Sequence, residues 1–335
     1  MSKDKLTVLI VGCGNIAGRF DEQRGVDALP YTHAGAYHRD EHFEVVACVE
    51  PDTQRQQEFR QYWHIAQGFT KLEEVLAAGQ TYDVISICSP SAAHFQDLQL
   101  AIQLRPQLIF CEKPVTYSIA ETEQVIAECA ALNILLLVNY TRAWDPACTR
   151  LKAEYATGKW GELRSITGLY NKGILNNGSH MLDLLYSLLG DIKLQYVGRP
   201  VYDFFADDPT IPVFLEGPQA LPIQLAISHA ADYAVFELQL VFEKGIIVME
   251  AGGLSWRERG VEDNKEMAGY RKLKNSVFRA GEYQQAMLSA AANIYNAINV
   301  GEKLAKTGGD ALKVQCLCEQ IKRETLQSNE VGIFQ

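Results

Sequence analysis

The chain has 335 residues, 47% of them hydrophobic and 21% charged, with a formal net charge of -10. That length predicts two domains whose cores need neither metal nor disulfide to be stable. The negative balance argues against a nucleic-acid partner, which needs clustered Lys and Arg. No apolar run approaches the roughly 20 residues of a membrane span, and Met1–Lys5 leads into a strand without a cleavable apolar segment. A cytoplasmic protein with no membrane contact is expected.

From the N-terminus, short apolar runs alternate with helical patterns. The runs are Leu6–Val11, Val45–Val49, a weaker Ile65–Phe69, Val84–Cys88, Leu108–Cys111 and Ile134–Val138. They are apolar at consecutive positions, as strands covered on both faces require. Asp21–His33 reads as an insertion between the first two runs. Thr70 with Glu73, and Ser118 with Glu121, read as capping boxes that start helices. From Ser118 onward Ile119, Val125, Ile126, Cys129 and Leu132 keep to one helical face. The alternation predicts an N-terminal Rossmann domain over residues 1–140, a doubly wound parallel sheet.

After residue 140 the pattern changes to that of an α+β domain, over 141–335, with an open and mostly antiparallel sheet. Strands are expected at Arg164–Tyr170, Ile223–Ser228, Val235–Phe242 and Ile246–Met249. The last two form a hairpin through Glu243-Lys244-Gly245, with Phe236, Leu238, Leu240 and Phe242 on its buried side. Helices are expected at His180–Leu189, Tyr283–Asn299 and Asp310–Arg323. Arg257–Asn275 is charged and lacks a period, and reads as a loop or lid. Of the eight cysteines, Cys13, Cys48, Cys88 and Cys111 fall in or beside apolar strands. Cys316 and Cys318 point to different faces of one helix. With no Cys-x-x-Cys pair, buried free thiols are expected and no metal site.

Gly12-x-Gly14-x-x-Ala17 follows the first strand and opens a helix, the context a dinucleotide fingerprint requires. Gly12 permits the tight turn and Gly14 lets the backbone approach a pyrophosphate, with Asn15 and Ile16 at the start of the helix. Glu50 ends the second strand, where a carboxylate accepts hydrogen bonds from the adenosine ribose. It would repel a 2′-phosphate, so NAD is favoured over NADP, although Arg55 nearby keeps NADP open.

Gly12–Ala17, Ser89-Pro90 followed by His94, Glu112-Lys113-Pro114, and Gly178-Ser179-His180 with Asp183 resemble, in that order, the signature series of the Gfo/Idh/MocA family. These are NAD(P)-dependent enzymes of the glucose–fructose oxidoreductase and inositol dehydrogenase group. The resemblance implies a cofactor held by Gly12, Gly14, Asn15, Ile16, Glu50, Ser89, Pro90, His94, Glu112 and Lys113, with substrate between the two domains. It also implies Lys113 beside the nicotinamide, a cis peptide before Pro114, and a homodimer or homotetramer.

The chemistry agrees with those roles. Hydride transfer at an alcohol carbon needs a proton moved at its oxygen, a task suited to His180. The Lys113 ammonium would stabilise alkoxide character. Many family members carry Asp four residues before the His; this chain has Asn176, which can orient a substrate hydroxyl but cannot accept its proton. Members acting on nucleotide-linked sugars can also lack that Asp. Asp183, one turn beyond His180, would fix the imidazole tautomer or serve packing. Tyr140, Arg142 and Trp144 after the sixth strand, and Tyr170, Asn171 and Lys172 after the next, are candidates for substrate contact. The expected activity is an NAD-dependent dehydrogenase of a sugar, cyclitol or nucleotide-linked sugar. Its rivals are the same fold cycling a tightly held cofactor between two substrates, and a retired NAD-binding sensor or scaffold.

Overall fold

Six strands carry the first half of the chain: β1 (Leu6–Val11), β2 (Phe43–Val49), β3 (Gln67–Phe69), β4 (Val84–Ile87), β5 (Leu108–Cys111) and β6 (Leu135–Val138). They form one parallel sheet in the order β3-β2-β1-β4-β5-β6. In the middle of it Val8 pairs with Val45 on one side and Val84 on the other. Val8, Leu9 and Ile10 are all fully buried, which explains why these strands are apolar at consecutive positions. The strand order reverses at β1 and β4, the switch point where such sheets open a crevice at their carboxyl ends. The computed structural model describes residues 5–24 and 28–331; the reading of Met1–Asp4 as lacking a cleavable segment lies outside the described residues. Among the described residues no helix is long and apolar enough to cross a membrane.

The chain divides into two compact units, Met1–Asp145 with Gln284–Lys313, and Pro146–Tyr283 with Val314–Gln335. The expected 1–140 and 141–335 domains thus differ from the observed units by a returning segment. The helix Ala286–Val300 packs with the first unit because its small residues Ala286, Ala290 and Ala291 let it approach, and Met287 and Ile294 enter that core. Trp144 donates its indole N–H to the Asn293 side chain on the same helix. The period of this helix was legible, but its partner was not.

Local signals behave unevenly. Ser118 caps the helix Ile119–Ala131, accepting from the Glu121 amide. The other box is displaced by one residue: the helix Leu72–Ala78 is preceded by Lys71, and Thr70 bonds Glu74 through both amide and hydroxyl. Glu74, not Glu73, is three residues past the cap and so can reach back. The helix opened by the fingerprint is short, a turn at Asn15–Arg19 continued by Phe20–Glu22. Buried Asp21 then ties down the far side of the insertion by accepting from the amides of Tyr31 and Thr32 and from the Thr32 hydroxyl. Thr32 in turn caps the helix His33–Arg39.

The second unit holds a nine-stranded sheet. Its strands are β7 (Leu163–Tyr170), β8 (Lys193–Val197), β9 (Val213–Gly217), β10 (Leu221–Ile227), β11 (Phe236–Phe242), β12 (Gly245–Glu250), β13 (Ser255–Asp263), β14 (Arg271–Leu273) and β15 (Val277–Ala280). The order is β14-β13-β12-β11-β7-β10-β9-β8, with β15 paired to β13. Among the described residues of this sheet only β7 and β10 run parallel. The β11–β12 hairpin forms as expected, and Phe236, Leu238, Leu240 and Phe242 are its buried side.

Arg257–Asn275, expected as a loop or lid, is corrected: most of it is β13 and β14. These outer strands are paired by backbone bonds and by charges across the ladder, Arg257 to Glu250, Arg279 to Glu258 and Lys272 to Glu262. No apolar alternation is needed for that, so none appears. The helices include Pro146–Ala156, which the sequence did not mark, Ser179–Leu189 and Gly308–Val331, the last longer than expected. All eight cysteines are thiols outside any disulfide; Cys318 is buried and Cys316 exposed.

Candidate active site

The glycine-rich turn leaves β1 with Gly12 at φ +87, a conformation in which a side chain is strained. A Cβ there would lie 2.6 Å from the Ser89 amide nitrogen and 2.7 Å from its Cα. Gly12 is therefore pressed against the loop that follows β4. Gly14 differs: its φ is -86, and a Cβ built on it meets nothing within 4 Å. The backbone at Gly14 faces open space at the head of the short helix, which fits a dinucleotide pyrophosphate passing close to it. Glu50 is buried and braces this turn, accepting from the Cys13 amide at 3.0 Å and the Asp52 amide at 3.1 Å. Arg55 lies 3.6 Å from the same carboxylate.

At the ends of β4 and β5 the remaining motifs of the first unit come side by side. Ser89 donates its hydroxyl to Asp97, and the peptide between Lys113 and Pro114 is cis. His94 is fully buried between the two loops, Nδ1 at 2.8 Å from the Pro114 carbonyl and Nε2 at 2.9 Å from the Ser89 carbonyl. The expected cofactor contact through the His94 ring is thus corrected: both ring nitrogens face main-chain carbonyls, and the ring is a clamp behind the surface. Glu112 turns inward as well. Its carboxylate accepts from Asn139 at 2.6 Å and from His33 at 3.0 Å. Burial by itself would raise that carboxyl, but the His33 and Asn139 hydrogen bonds and the Lys113 charge hold it below the usual range. Burial pushes the Cys88 and Cys111 thiols well up, so neither is a nucleophile here. Tyr140 and Arg142 are buried.

In the second unit β7 ends at Tyr170 and the chain turns through Lys172, at φ +65, into the turn Gly173–Gly178 and the helix Ser179–Leu189. Met181, Leu182 and Leu185 are fully buried and anchor that helix, leaving His180 half-buried at its second position. Asp183 is buried one turn on. Two carboxylates hold the turn. Asp208 accepts from the amides of Leu175 and Asn176 at 2.9 and 2.8 Å. Asp203 accepts from the Lys172 and Ala230 amides and the Thr210 hydroxyl; burial would raise it, but these donors keep it below the usual carboxylate range. The Asn176 amide donates to the Lys172 carbonyl at 3.0 Å, and the Lys172 ammonium lies 5.2 Å from the centre of the Phe204 ring.

Tyr170, read as a substrate contact, is corrected. It is wholly buried, with its hydroxyl donating to the Ile211 carbonyl at 2.6 Å and accepting from the Ile211 amide at 3.1 Å. Asn171 is also buried, bonded to Ser228, Tyr233 and Val235. His33, Asn139, Asp203 and Asp208 were not singled out by the sequence. A His at a helix start and Asp before Pro carry no signal until their partners are known.

Residues 6–140 match the family model described as an oxidoreductase family with an NAD-binding Rossmann fold, GFO_IDH_MocA. An uncharacterized oxidoreductase of Bacillus subtilis, YrbE, is 37% identical over 79 residues, which are 24% of this chain and only 23% of that protein. Inositol 2-dehydrogenase of Corynebacterium glutamicum is 25% identical over 283 residues, 77% of this chain and 78% of that one. An oxidoreductase from Agrobacterium radiobacter, solved in complex with NAD+, L-tartaric acid and magnesium, has a TM-score of 0.74 at 16% identity, each chain covered to 97%. That likeness is one of fold across both units. With the glycine turn, the Glu-Lys-Pro end of β5 and the parallel sheet all in place, residues 6–140 match the NAD-binding Rossmann region of the Gfo/Idh/MocA oxidoreductases.

Proposed function

We propose that the protein is an NAD-dependent dehydrogenase acting at a CH–OH or keto carbon of a sugar, cyclitol or nucleotide-linked sugar. The observation that carries this reading lies in the first unit: the Gly12–Gly14 turn, Ser89-Pro90 and Lys113 stand at the carboxyl ends of β1, β4 and β5, three neighbouring strands of one parallel sheet. Brought together there, they offer an open backbone for a dinucleotide and an amine at the place where its reacting ring would lie. Bound NAD would supply the hydride acceptor or donor.

The residues of the chain supply the rest. Gly12, Gly14, Asn15 and Ile16 present the turn to the pyrophosphate, and Glu50 at the end of β2 takes the adenosine ribose. That carboxylate disfavours a 2′-phosphate, which supports NAD over NADP. Ser89, Pro90 and Lys113 border the nicotinamide end, with Glu112 acting from beneath. The Lys113 ammonium steadies negative charge growing on the substrate oxygen, and His180 moves the proton. Asn176, Lys172, Tyr140 and Arg142 border the substrate. The second unit serves substrate binding and self-association into a homodimer or homotetramer, in the cytoplasm.

The test is a panel of sugars, cyclitols and nucleotide-linked sugars assayed for NADH formation, followed by Lys113→Met on the best substrate. Turnover should fall by about 10²-fold or more; a variant as fast as the wild type sinks the assignment. Asn176 in place of an acid favours a second reading, a retired NAD-binding sensor or scaffold. Tight NADH binding with no turnover across the panel would support that alternative.

A further inference from the structure

Behind Lys113 runs a row of polar side chains that the proposed reaction does not use. The Tyr37 hydroxyl lies 2.9 Å from the Ser86 hydroxyl, Ser86 lies 3.2 Å from His33 Nδ1, and His33 Nε2 lies 3.0 Å from Glu112. Asn139 reaches the same Glu112 oxygen and accepts from the Thr141 hydroxyl at 3.1 Å. His33 and Ser86 are completely buried, and Phe110 packs on the imidazole with ring centres 4.3 Å apart.

The protons in this row can be placed. An ionised carboxylate only accepts, so His33 Nε2–H and the Asn139 amide both donate to Glu112. Burial pushes the Tyr37 phenol up, so it keeps its proton and donates to Ser86. The Ser86 hydroxyl is then left to donate to His33 Nδ1. Every link has one donor and one acceptor when the ring carries its proton on Nε2.

We propose that His33, through its hydrogen bond to Glu112, is a positioning residue for Lys113, fixing a negative charge beside the amine. This rests on the reading of Lys113 as the amine at the reacting carbon. The titratable groups facing Glu112 are His33 from the helix His33–Arg39, Lys113 next along the chain, and the thiols of Cys88 and Cys111 at the ends of β4 and β5. The thiols stay protonated, so His33 and Lys113 set the state of the carboxylate. Without the His33 donor the carboxylate loses one of the two bonds that hold it in place beside Lys113, and the amine holds its own proton less tightly.

The proton affinity of Lys113 can be read without any substrate, by competitive acetylation with acetic anhydride across the neutral to alkaline range and mass spectrometry of the peptide carrying it. Relative to wild type, His33→Leu and Glu112→Gln should each lower the Lys113 pKa by about one unit, a tenfold change. The double variant should shift it no further than either alone. His33→Gln, which keeps an N–H donor, should restore most of the wild-type value. If Glu112→Gln shifts Lys113 and His33→Leu does not, His33 plays no part and the inference falls.

Should His33→Leu fail to fold, nitrogen-15 spectra of the native wild-type imidazoles decide the matter. Protonation of His33 at Nε2 is expected, and a ring protonated on Nδ1 alone overturns the proposal. The labelling reads the coupling of His33 to Lys113 whether or not Lys113 is catalytic. The Lys113→Met turnover assay tests the functional reading separately.

Discussion

Gly12 and Gly14 sit two residues apart in one turn, and substituting each by alanine should damage different properties. At Gly12 an alanine must hold φ near +87, which costs about 1–2 kcal/mol for a side chain. Its Cβ would also sit 2.6–2.8 Å from Ser89 N, Ser89 Cα and the Cys88 carbonyl carbon. All three are backbone atoms, so the loop after β4 has to move, and overpacking of that kind costs about 1–3 kcal/mol. Gly12→Ala should therefore lose about 2–5 kcal/mol of stability, a large share of the roughly 5–15 kcal/mol that a domain has.

At Gly14 neither term applies, since φ is -86 and nothing lies within 4 Å of the added carbon. Gly14→Ala should leave stability unchanged or raise it by about 0.4–1 kcal/mol through the unfolded chain. The open space above Gly14 is where the reading places a pyrophosphate, so the methyl group should raise the NADH dissociation constant at least tenfold, about 1.4 kcal/mol. Urea unfolding followed by tryptophan fluorescence and NADH titration by cofactor fluorescence measure the two effects on the same samples. A Gly14→Ala protein that binds NADH like the wild type would falsify the placement of the cofactor.

Three further outcomes are expected. NADH should bind at least tenfold more tightly than NADPH in a fluorescence titration if the Glu50 carboxylate meets the 2′ position as proposed; the reverse order removes Glu50 from the ribose. Tyr170→Phe should cost about 1–3 kcal/mol in urea unfolding by stranding the Ile211 amide and carbonyl, with the NADH dissociation constant unchanged. A raised dissociation constant for cofactor or substrate in that variant contradicts its assignment to the core. Glu112 and Asp203 titrate below the ordinary carboxylate range, so the folded state binds their protons more weakly than the unfolded chain does. Their contribution is present above the unfolded value near pH ~4 and is lost as pH falls through the lower folded values. The acid limb of a stability–pH curve should accordingly flatten in Glu112→Gln, and an unchanged limb counts against the ionised carboxylate.

The parallel sheet was legible because burial on both faces leaves a mark in the sequence itself: β1, β4, β5 and β6 are short runs of Val, Ile and Leu that no other context needs. The β11–β12 hairpin was legible for the opposite reason, one wet face giving strict alternation. β13 and β14 left neither mark. β13 lies between β12 and the outer β14 and β15, and is stabilised by backbone pairing and by charges that cross to Glu250, Lys272 and Arg279; such residues look like loop composition until the partner strands are known. The helix Ala286–Val300 was legible as a helix, but its place in the first unit depends on how closely three alanines let it approach, which periodicity does not encode.

The candidate site divides along the same line. Gly12, Gly14 and Lys113 were singled out because the roles proposed for them demand a residue type at a fixed place after a strand, and the structure does set them at the ends of β1 and β5. Tyr170 and His94 were misplaced because their residue types suit two roles equally, and what separates a ligand contact from a core hydrogen bond is the partner: Ile211 for one, the Ser89 and Pro114 carbonyls for the other. His33 is the far end of that scale. It lies 79 positions from Glu112 in the chain, at the close of an insertion that itself looks dispensable, and a buried imidazole there is tolerable only because a carboxylate and a hydroxyl meet its two nitrogens. Once that pairing is seen, the insertion gains a physical role. Asp21 fixes its return at Tyr31 and Thr32, Thr32 caps the next helix, and the first residue of that helix is the one that reaches Glu112. The anchoring of the loop and the charge beside Lys113 therefore meet at two adjacent residues, Thr32 and His33, and a substitution at Asp21 that loosens the first should be felt at the second.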